Sequence, residues 1–390
     1  MRILYSAIDQ AVPAPHGGSV HVRAVAEGLA AIGHDVHVFV SPGAGGILPA
    51  GRATWSALPP PLGDRRLRLF RARRLSTYAR AIKPDVVIER YYNFGGEGIL
   101  AARGTGALAV LEVNAPAVDR PGSTKARLDR LLLVEPMRRW REWQCNHAQL
   151  IVAPSPRMIP AHVAADRILL TEWGADTDRF KPRGEGPAPA PFPRTDADTV
   201  AVFAGAFRAW HGAIHLVEAI RRLRLRGRSD IKAVLIGAGP ELARVRLAAE
   251  GLEGVTFTGA LPHETLPSFL SAADVGVAPF DVSKHPSLDY DFHWSPLKIF
   301  EYMASGLPVV APRIERLTQM VADAREGVFY DAADVDGLAL ALERLANPAL
   351  RATLGRAARE RAVNEYSWDA HCRRLDRAFR AAMERMRCGS

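Results

Sequence analysis

The residue types best suited to chemistry lie in one stretch, Ser295-Pro296-Leu297-Lys298-Ile299-Phe300-Glu301-Tyr302-Met303-Ala304-Ser305-Gly306. Serine followed by proline is a helix-start signature, with Ser295 as N-cap and Pro296 in the first helical position. Gly306 closes the helix, and residues 308–311 read as a strand. The first turn of such a helix offers free backbone N–H groups and the positive end of the helix dipole, so 295–298 can bind an anion. Lys298 and Glu301 lie three apart and share a face. A cation at the helix start and a carboxylate one turn along suit a diphosphate and a ribose diol. The same spacing describes an ordinary surface lysine–glutamate pair, and spacing alone does not separate the two.

A second set lies near the N-terminus. Gly17 and Gly18, flanked by His16 and Ser19, stand between a strand and a helix. Their missing β-carbons either let backbone approach a ligand or serve a turn that needs positive φ. No Gly-x-Gly-x-x-Gly follows the first strand, so this is not a dinucleotide fingerprint. Arg90 and Glu112 each come at the end of a strand pattern, with Asn114 close behind; they point to ligand contacts or to a salt bridge between Arg90 and a carboxylate. Asp289-Tyr290-Asp291 and Asp334-Val335-Asp336 spell an acidic metal-binding triplet that often arises by chance. No Ser-His-Asp or clustered His/Cys arrangement suggests hydrolysis or zinc chemistry, and no metal is expected.

The elements that must position these residues alternate. Residues 3–7 are a buried-strand run, followed by a Pro/Gly-rich loop and a helix that Ser19 can cap, with Val22, Val25, Ala26 and Leu29 on one face. Further strands are expected at 36–40, 85–89, 107–113 and 151–154, with a helix near 98–104. A second series gives strands at 200–204, 233–236, 255–258, 275–278 and 309–311. Strands alternating with helices imply α/β architecture with parallel sheets covered on both faces. The stretch KPRGEGPAPAPFPR after Phe180 is the strongest linker. The expected layout is two doubly wound, Rossmann-like domains at 1–182 and 197–366, a linker at 183–196, and a C-terminal helix at 367–390 returning to the first domain. Two such domains facing across a cleft would bind ligands at the carboxyl ends of their strands.

Composition narrows the classes. The chain has 390 residues, 51 lysines and arginines against 42 acidic residues, and a net charge of +9. Only six of the basic residues are lysines, so the excess is arginine; it reads equally as compositional habit or as a basic surface. The three cysteines lack metal-type spacing and read as ordinary thiols. No apolar run approaches the roughly 20 residues of a membrane-spanning helix, and the N-terminus enters a strand pattern directly. A cytoplasmic location is therefore expected. Residues 65–82, with Leu75, Tyr78, Ala79 and Ile82 on one face and arginines opposite, and Trp140 and Trp143 among arginines, keep open a peripheral contact with an anionic inner membrane face. The bland alternative packs both helices on the first sheet.

The motifs together resemble the family-4 retaining glycosyltransferases of the GT-B fold. Glu301 matches the second glutamate of that family's Glu-x7-Glu donor helix, and Ala304-Ser305-Gly306-Leu307-Pro308-Val309 matches its Ala-x-Gly-x-Pro-Val tail. Ala204 to Gly212 is similar to its phosphate loop; Ile236-Gly237-Ala238-Gly239-Pro240 and Phe257-Thr258-Gly259-Ala260-Leu261 fall at its Gly-Pro turn and nucleobase strand. Trp173-Gly174-Ala175-Asp176 with Phe180-Lys181-Pro182, and Tyr366-Ser367-Trp368, resemble its interdomain and C-terminal segments. The resemblance implies metal-free hexosyl transfer with retention, from a nucleoside-diphosphate sugar (a UDP-sugar as first guess) to a glycan, lipid or metabolite, with no prosthetic group and no nucleic acid partner. It implies catalytic roles for Lys298, Arg208, Glu301 and His293. Donor contacts would come from Gly17, Gly18, Gly205, His211, Gly237, Ala260, Ser295, Pro296 and Leu297. Arg90, Glu112 and Asn114 would face the acceptor. Three departures stand out: His293 occupies the first glutamate's place, with Asp291 two residues earlier; Ala206 and His211 replace the loop's arginine and lysine, with Arg208 nearby; and Asn114 stands where many relatives have histidine. They leave a non-catalytic sugar-nucleotide-binding subunit as the alternative.

Overall fold

The computed structural model describes residues 1–14, 16–117, 135–184, 191–285 and 292–388. Asp291, the Asp289 triplet and part of the proposed linker lie outside the described residues. The chain divides into two units, one of Met1–Trp173, His293–Ser295 and Trp368–Ser390, the other of Gly174–Phe292 and Pro296–Ser367.

In the first unit, seven strands form one parallel sheet: β1 (Arg2–Val12), β2 (Asp35–Pro42), β3 (Thr54–Ala57), β4 (Val86–Arg90), β5 (Leu108–Glu112), β6 (Leu150–Ala153) and β7 (Ile168–Leu170). Their order is β3-β2-β1-β4-β5-β6-β7. β4 and β5 are buried at every position, as parallel strands covered on both faces must be, yet both end in charged residues. Those charges lie at the carboxyl ends of the strands, beside the reversal of strand order between β1 and β4, where open α/β sheets hold ligands. β3 and β7, absent from the sequence reading, are short edge strands of four and three residues, none of them fully buried.

The C-terminal helix Trp368–Cys388 belongs to this unit. Trp368, Cys372, Leu375, Phe379 and Ala382 form its buried stripe. It packs on the Gly17–Ala31 helix so closely that a β-carbon at Gly28 would sit 2.5 Å from Cys372 Sγ. His34 and Asp376, 3.0 Å apart, tie the same surfaces together.

Residues 65–82 are not one helix. A 3-10 segment, Arg65–Arg71, precedes the α-helix Ala72–Ile82. The break turns Arg68 inward, where it is fully buried. Its guanidinium donates to Glu97 at 2.9 Å, Asp9 at 2.6 Å and Glu89 at 2.9 Å. Burial and the neighbouring Glu97 push the Glu89 carboxyl up to about 8, against the pull of Arg68. Leu75 and Ala79 are buried, and Tyr78 meets Phe39 of β2 edge-on at 4.9 Å, so the Ala72–Ile82 helix packs on the sheet.

The second unit carries a six-stranded parallel sheet of β8 (Thr199–Ala204), β9 (Ile231–Ile236), β10 (Val255–Gly259), β11 (Val275–Val277), β12 (Val309–Pro312) and β13 (Gly327–Tyr330). The order β10-β9-β8-β11-β12-β13 puts its reversal between β8 and β11. The chain enters this unit upstream of the Pro-rich stretch. Phe180 is buried, and Arg359 donates to the Phe180 carbonyl at 2.8 Å and the Thr177 carbonyl at 3.0 Å, which fixes the segment to the second unit before the prolines begin. Asp334 and Asp336 have structural work: Asp334 caps the Val335–Arg344 helix, and Asp336 pairs with Arg226 at 2.9 Å. Among the described residues no group of three or more His, Cys, Asp or Glu is arranged to hold a metal, and no helix is long and apolar enough to cross a membrane.

Candidate functional site

In the second unit the predicted residues converge beside the strand-order reversal. The helix Leu297–Ala304 leads into β12, as expected, but starts one residue later than the Ser-Pro signature suggested. Pro296 is its extended cap and no side chain caps it. The Ser295 hydroxyl accepts instead from the Trp173 N–H at 2.7 Å within the first unit. Lys298 therefore sits in the first helical turn beside uncapped N–H groups.

Its stem is partly exposed, but Nζ is covered and has no hydrogen-bond partner among the described residues. The nitrogen rests 4.3 Å from the Phe203 ring centroid and 5.2 Å from that of Phe280. Burial pulls its pKa down to about 7, with Glu301 acting the other way. His211, on the short turn after β8, is buried with Nδ1 likewise unpartnered. Burial, with the charges of Lys298, Arg208 and His285 adding to it, holds its pKa down at about 2.

Gly205 explains how these two nitrogens meet. A β-carbon there would lie 2.7 Å from Lys298 Nζ and 3.1 Å from His211 Nδ1. Both nitrogens crowd into the slot that the missing side chain leaves beside the Gly205 backbone. Gly237 supports the floor: its φ of 128° excludes ordinary side chains, and a β-carbon would overlap the Gly205 carbonyl. Arg208 is exposed at the slot's edge, and Ala260 is exposed just past β10. Glu301 is buried one turn beyond Lys298 and bonds His263 at 2.7 Å. Burial opposes the imidazolium of His263, but the Glu301 carboxylate outweighs it and raises the pKa. What the arrangement can do is bind an anion in the slot and offer a carboxylate to a hydroxyl beside it.

Substituting Gly205 by alanine should test the slot. The nearest clash is the tip of a flexible lysine, so the fold is expected to survive with its melting temperature little changed. The displaced Nζ should weaken anion binding on the order of tenfold, the equivalent of one hydrogen bond. Titration calorimetry with a sugar nucleotide reads this directly.

In the first unit, Glu112 and Arg90 do meet, and the salt-bridge reading of Arg90 holds. Glu112 Oε2 accepts from Tyr5 at 2.7 Å and from Arg90 at 3.2 Å, and its Oε1 is 2.5 Å from His21 Nε2. Although burial alone would raise its pKa, His21, Arg90 and Tyr5 together drive the carboxyl far below the usual range. With both oxygens engaged, Glu112 ties Tyr5 of β1, Arg90 at the end of β4 and His21 of the first helix together.

Gly17 and Gly18 form the first turn of the Gly17–Ala31 helix, neither with positive φ, so the positive-φ reading fails. His16, not Ser19, caps that helix: its Nδ1 accepts from the Ser19 N–H at 3.1 Å, while the Ser19 hydroxyl accepts from Ala14 N–H at 2.8 Å. A β-carbon on Gly18 would approach Arg90 to 3.5 Å, and one on Gly17 would approach the Trp173 ring to 3.4 Å. That ring lies 4.5 Å from His21 and donates through Nε1 to Asn114 at 3.0 Å. His293 is buried in this unit with its ring 4.7 Å from Trp294.

Sequence reasoning missed His263, Tyr5, His21 and Trp173 as side chains at these sites. His21 did leave a signal, falling at i, i+4 and i+8 with the buried Val25 and Leu29 on one helix face. His263 shortly follows a strand end, but nothing local links it to Glu301.

Comparison with known proteins agrees with this architecture. Residues 15–179 match the family described as Glycosyltransferase Family 4, and residues 198–347 match Glycosyl transferases group 1. The chain is 27% identical to the MMP alpha-(1->4)-mannosyltransferase of Mycolicibacterium hassiacum, over 95% of this chain and 96% of that protein. It is 31% identical over 207 residues to the GDP-mannose-dependent alpha-(1-6)-phosphatidylinositol monomannoside mannosyltransferase of Mycolicibacterium smegmatis. That match covers 52% of this chain and 53% of the relative, so the chain spans about half the length of this second relative. Among solved structures, Anabaena HepE in complex with UDP superposes with a TM-score of 0.71 at 17% identity, covering 98% of this chain and all of the other, which is a likeness of fold. Two parallel Rossmann-like sheets, the donor-type helix ahead of β12 and these matches together place the chain in the family-4-like glycosyltransferases of the GT-B fold.

Proposed function

We propose that the protein moves a hexosyl group from a nucleoside-diphosphate hexose to an acceptor hydroxyl, with retention and without a metal ion. The observation that carries this is the pair of buried nitrogens, Lys298 Nζ and His211 Nδ1, without a hydrogen-bond partner among the described residues and brought together beside Gly205. In this reading the donor diphosphate occupies that space, with Arg208 at its edge, Gly237 beneath it, and Pro296 and Leu297 at the helix start. Glu301, steadied by His263, takes the ribose hydroxyls, and Ala260 flanks the base. His293 serves the transferred hexose in place of the family's first glutamate. Gly17, Gly18, Asn114 and Arg90 serve the sugar and acceptor, while Glu112 holds Arg90 in position.

The bond between the anomeric carbon and the diphosphate oxygen breaks, and a bond to the acceptor oxygen forms on the same face. The acceptor's proton passes to the departing diphosphate. Preorganised charge at Lys298, Arg208 and the helix start stabilises that leaving group. A relative named for GDP-mannose makes GDP-mannose the first donor to test, ahead of the UDP-sugars.

A thermal-stability panel of sugar nucleotides, with and without a chelator, tests the proposal. A donor present at 100 times its Kd adds about 2.7 kcal/mol of stability. GDP-mannose or a UDP-hexose should raise the melting temperature, be consumed slowly by the protein, and do both in the presence of chelator. If no sugar nucleotide stabilises the protein, the proposal fails.

A further inference from the structure

We infer that donor binding is coupled to protonation of His211, which converts a neutral imidazole into a cation of the diphosphate slot; this rests on the function proposed above. Where the family's phosphate loop carries a lysine, this chain has a histidine. What matters is what surrounds it. Lys298 faces it from the Leu297–Ala304 helix, Arg208 from its own loop, and His285 from the far end of the Val282–Lys284 turn. The rings of Trp210, Phe203 and Phe280 complete the surroundings, at centroid distances of 4.1, 6.5 and 6.2 Å.

The nearby carboxylates are engaged elsewhere. Asp281 faces His215 at 3.7 Å, and Glu301 bonds His263. No described carboxylate bonds His211 Nδ1 or Lys298 Nζ, and of the described acidic groups only Glu301 acts on Lys298, from one turn away, so positive groups outnumber negative ones around the slot. Cations crowded together in a buried place shed protons, and the ring stays neutral. A diphosphate entering the slot reverses that balance. It supplies the missing negative charge to both nitrogens at once, and an imidazolium gives it a charge-assisted bond where a neutral ring offers only a dipole. Binding should therefore draw a proton from solution.

Titration calorimetry in buffers of different ionisation enthalpy counts that proton. GDP-mannose is the first probe, with UDP-glucose second. The diphosphate of a sugar nucleotide is a diester, so it lacks the phosphate-monoester proton that titrates near ~6. At about pH 6 Lys298 is already largely charged, so uptake there comes from a histidine, and the His211→Gln variant separates His211 from His285. We expect uptake of about one proton per donor bound by the wild type, and close to none by His211→Gln, which binds more weakly. Binding without proton uptake at that pH overturns the coupling and leaves the proposed function standing, as does wild-type uptake by His211→Gln. Absence of any donor binding overturns both. Should His211→Gln fail to fold, the wild-type proton count decides alone.

Discussion

Replacing Lys298 with methionine is expected to make the protein more stable and a far poorer enzyme. Two effects oppose each other at this side chain. Contact of the ammonium with Phe203 and Phe280 is worth about 0.5–2 kcal/mol, whereas burying a charge with no hydrogen-bond acceptor costs several kcal/mol. The cost wins, as the lowered pKa of Lys298 indicates. Methionine fills a similar volume without charge, so stability should rise by on the order of 1 kcal/mol. Donor-dependent kcat/KM should fall at least about 100-fold, the scale seen when one preorganised group is removed from a developing charge.

The sign of the pH dependence follows. The unfolded lysine holds its proton to about 10.4, the folded one only to about 7, so the unfolded state binds more protons between those values. Wild-type stability should rise across that interval relative to Lys298→Met. Thermal melts of both proteins over this range check it; a methionine variant less stable at neutral pH would contradict it.

Glu112→Ala should be the most destabilising single change at the first unit's site, costing about 3–5 kcal/mol, as expected when one partner of a buried ion pair is deleted. Arg90 would keep its charge with its acceptor gone, and Tyr5 and His21 would each lose a bond made inside the sheet end. Glu112→Gln keeps shape and one acceptor and should cost less. Because the folded carboxyl titrates below its unfolded value of about 4.3, this contribution is complete above that pH and drains away as pH falls below it. Denaturant unfolding of the two variants reads the difference. A Glu112→Ala protein as stable as wild type, but altered in acceptor KM, would return Glu112 to a direct ligand role.

The central strands of both sheets and the donor-type helix were legible because each has a local signature: an apolar run, or a start and stop within a dozen residues. What failed was local too. Ser295 and Ser19 are good capping residues by type, yet Ser295 answers the backbone of Trp173 and Ser19 that of Ala14. Which N–H a hydroxyl serves depends on the neighbours the fold delivers. The pairings that define the sites are more remote still. His263 reaches Glu301 across 38 residues, and Tyr5 reaches Glu112 across 107. One contact joins a loop to a helix and the other joins β1 to β5 across the intervening β4, and residue type gives no register for either. Lys298 stood out as a cation at a helix start; its isolation over Phe203 and Phe280 comes from strand ends that only the sheet order brings together.

The most direct measurement is a crystal structure of the protein soaked with GDP-mannose or a UDP-hexose. We expect a diphosphate oxygen in the space beside Gly205, within hydrogen-bond range of both Lys298 Nζ and His211 Nδ1, about 2.7–3.2 Å. A donor bound elsewhere, with those two nitrogens still unpartnered, would contradict it.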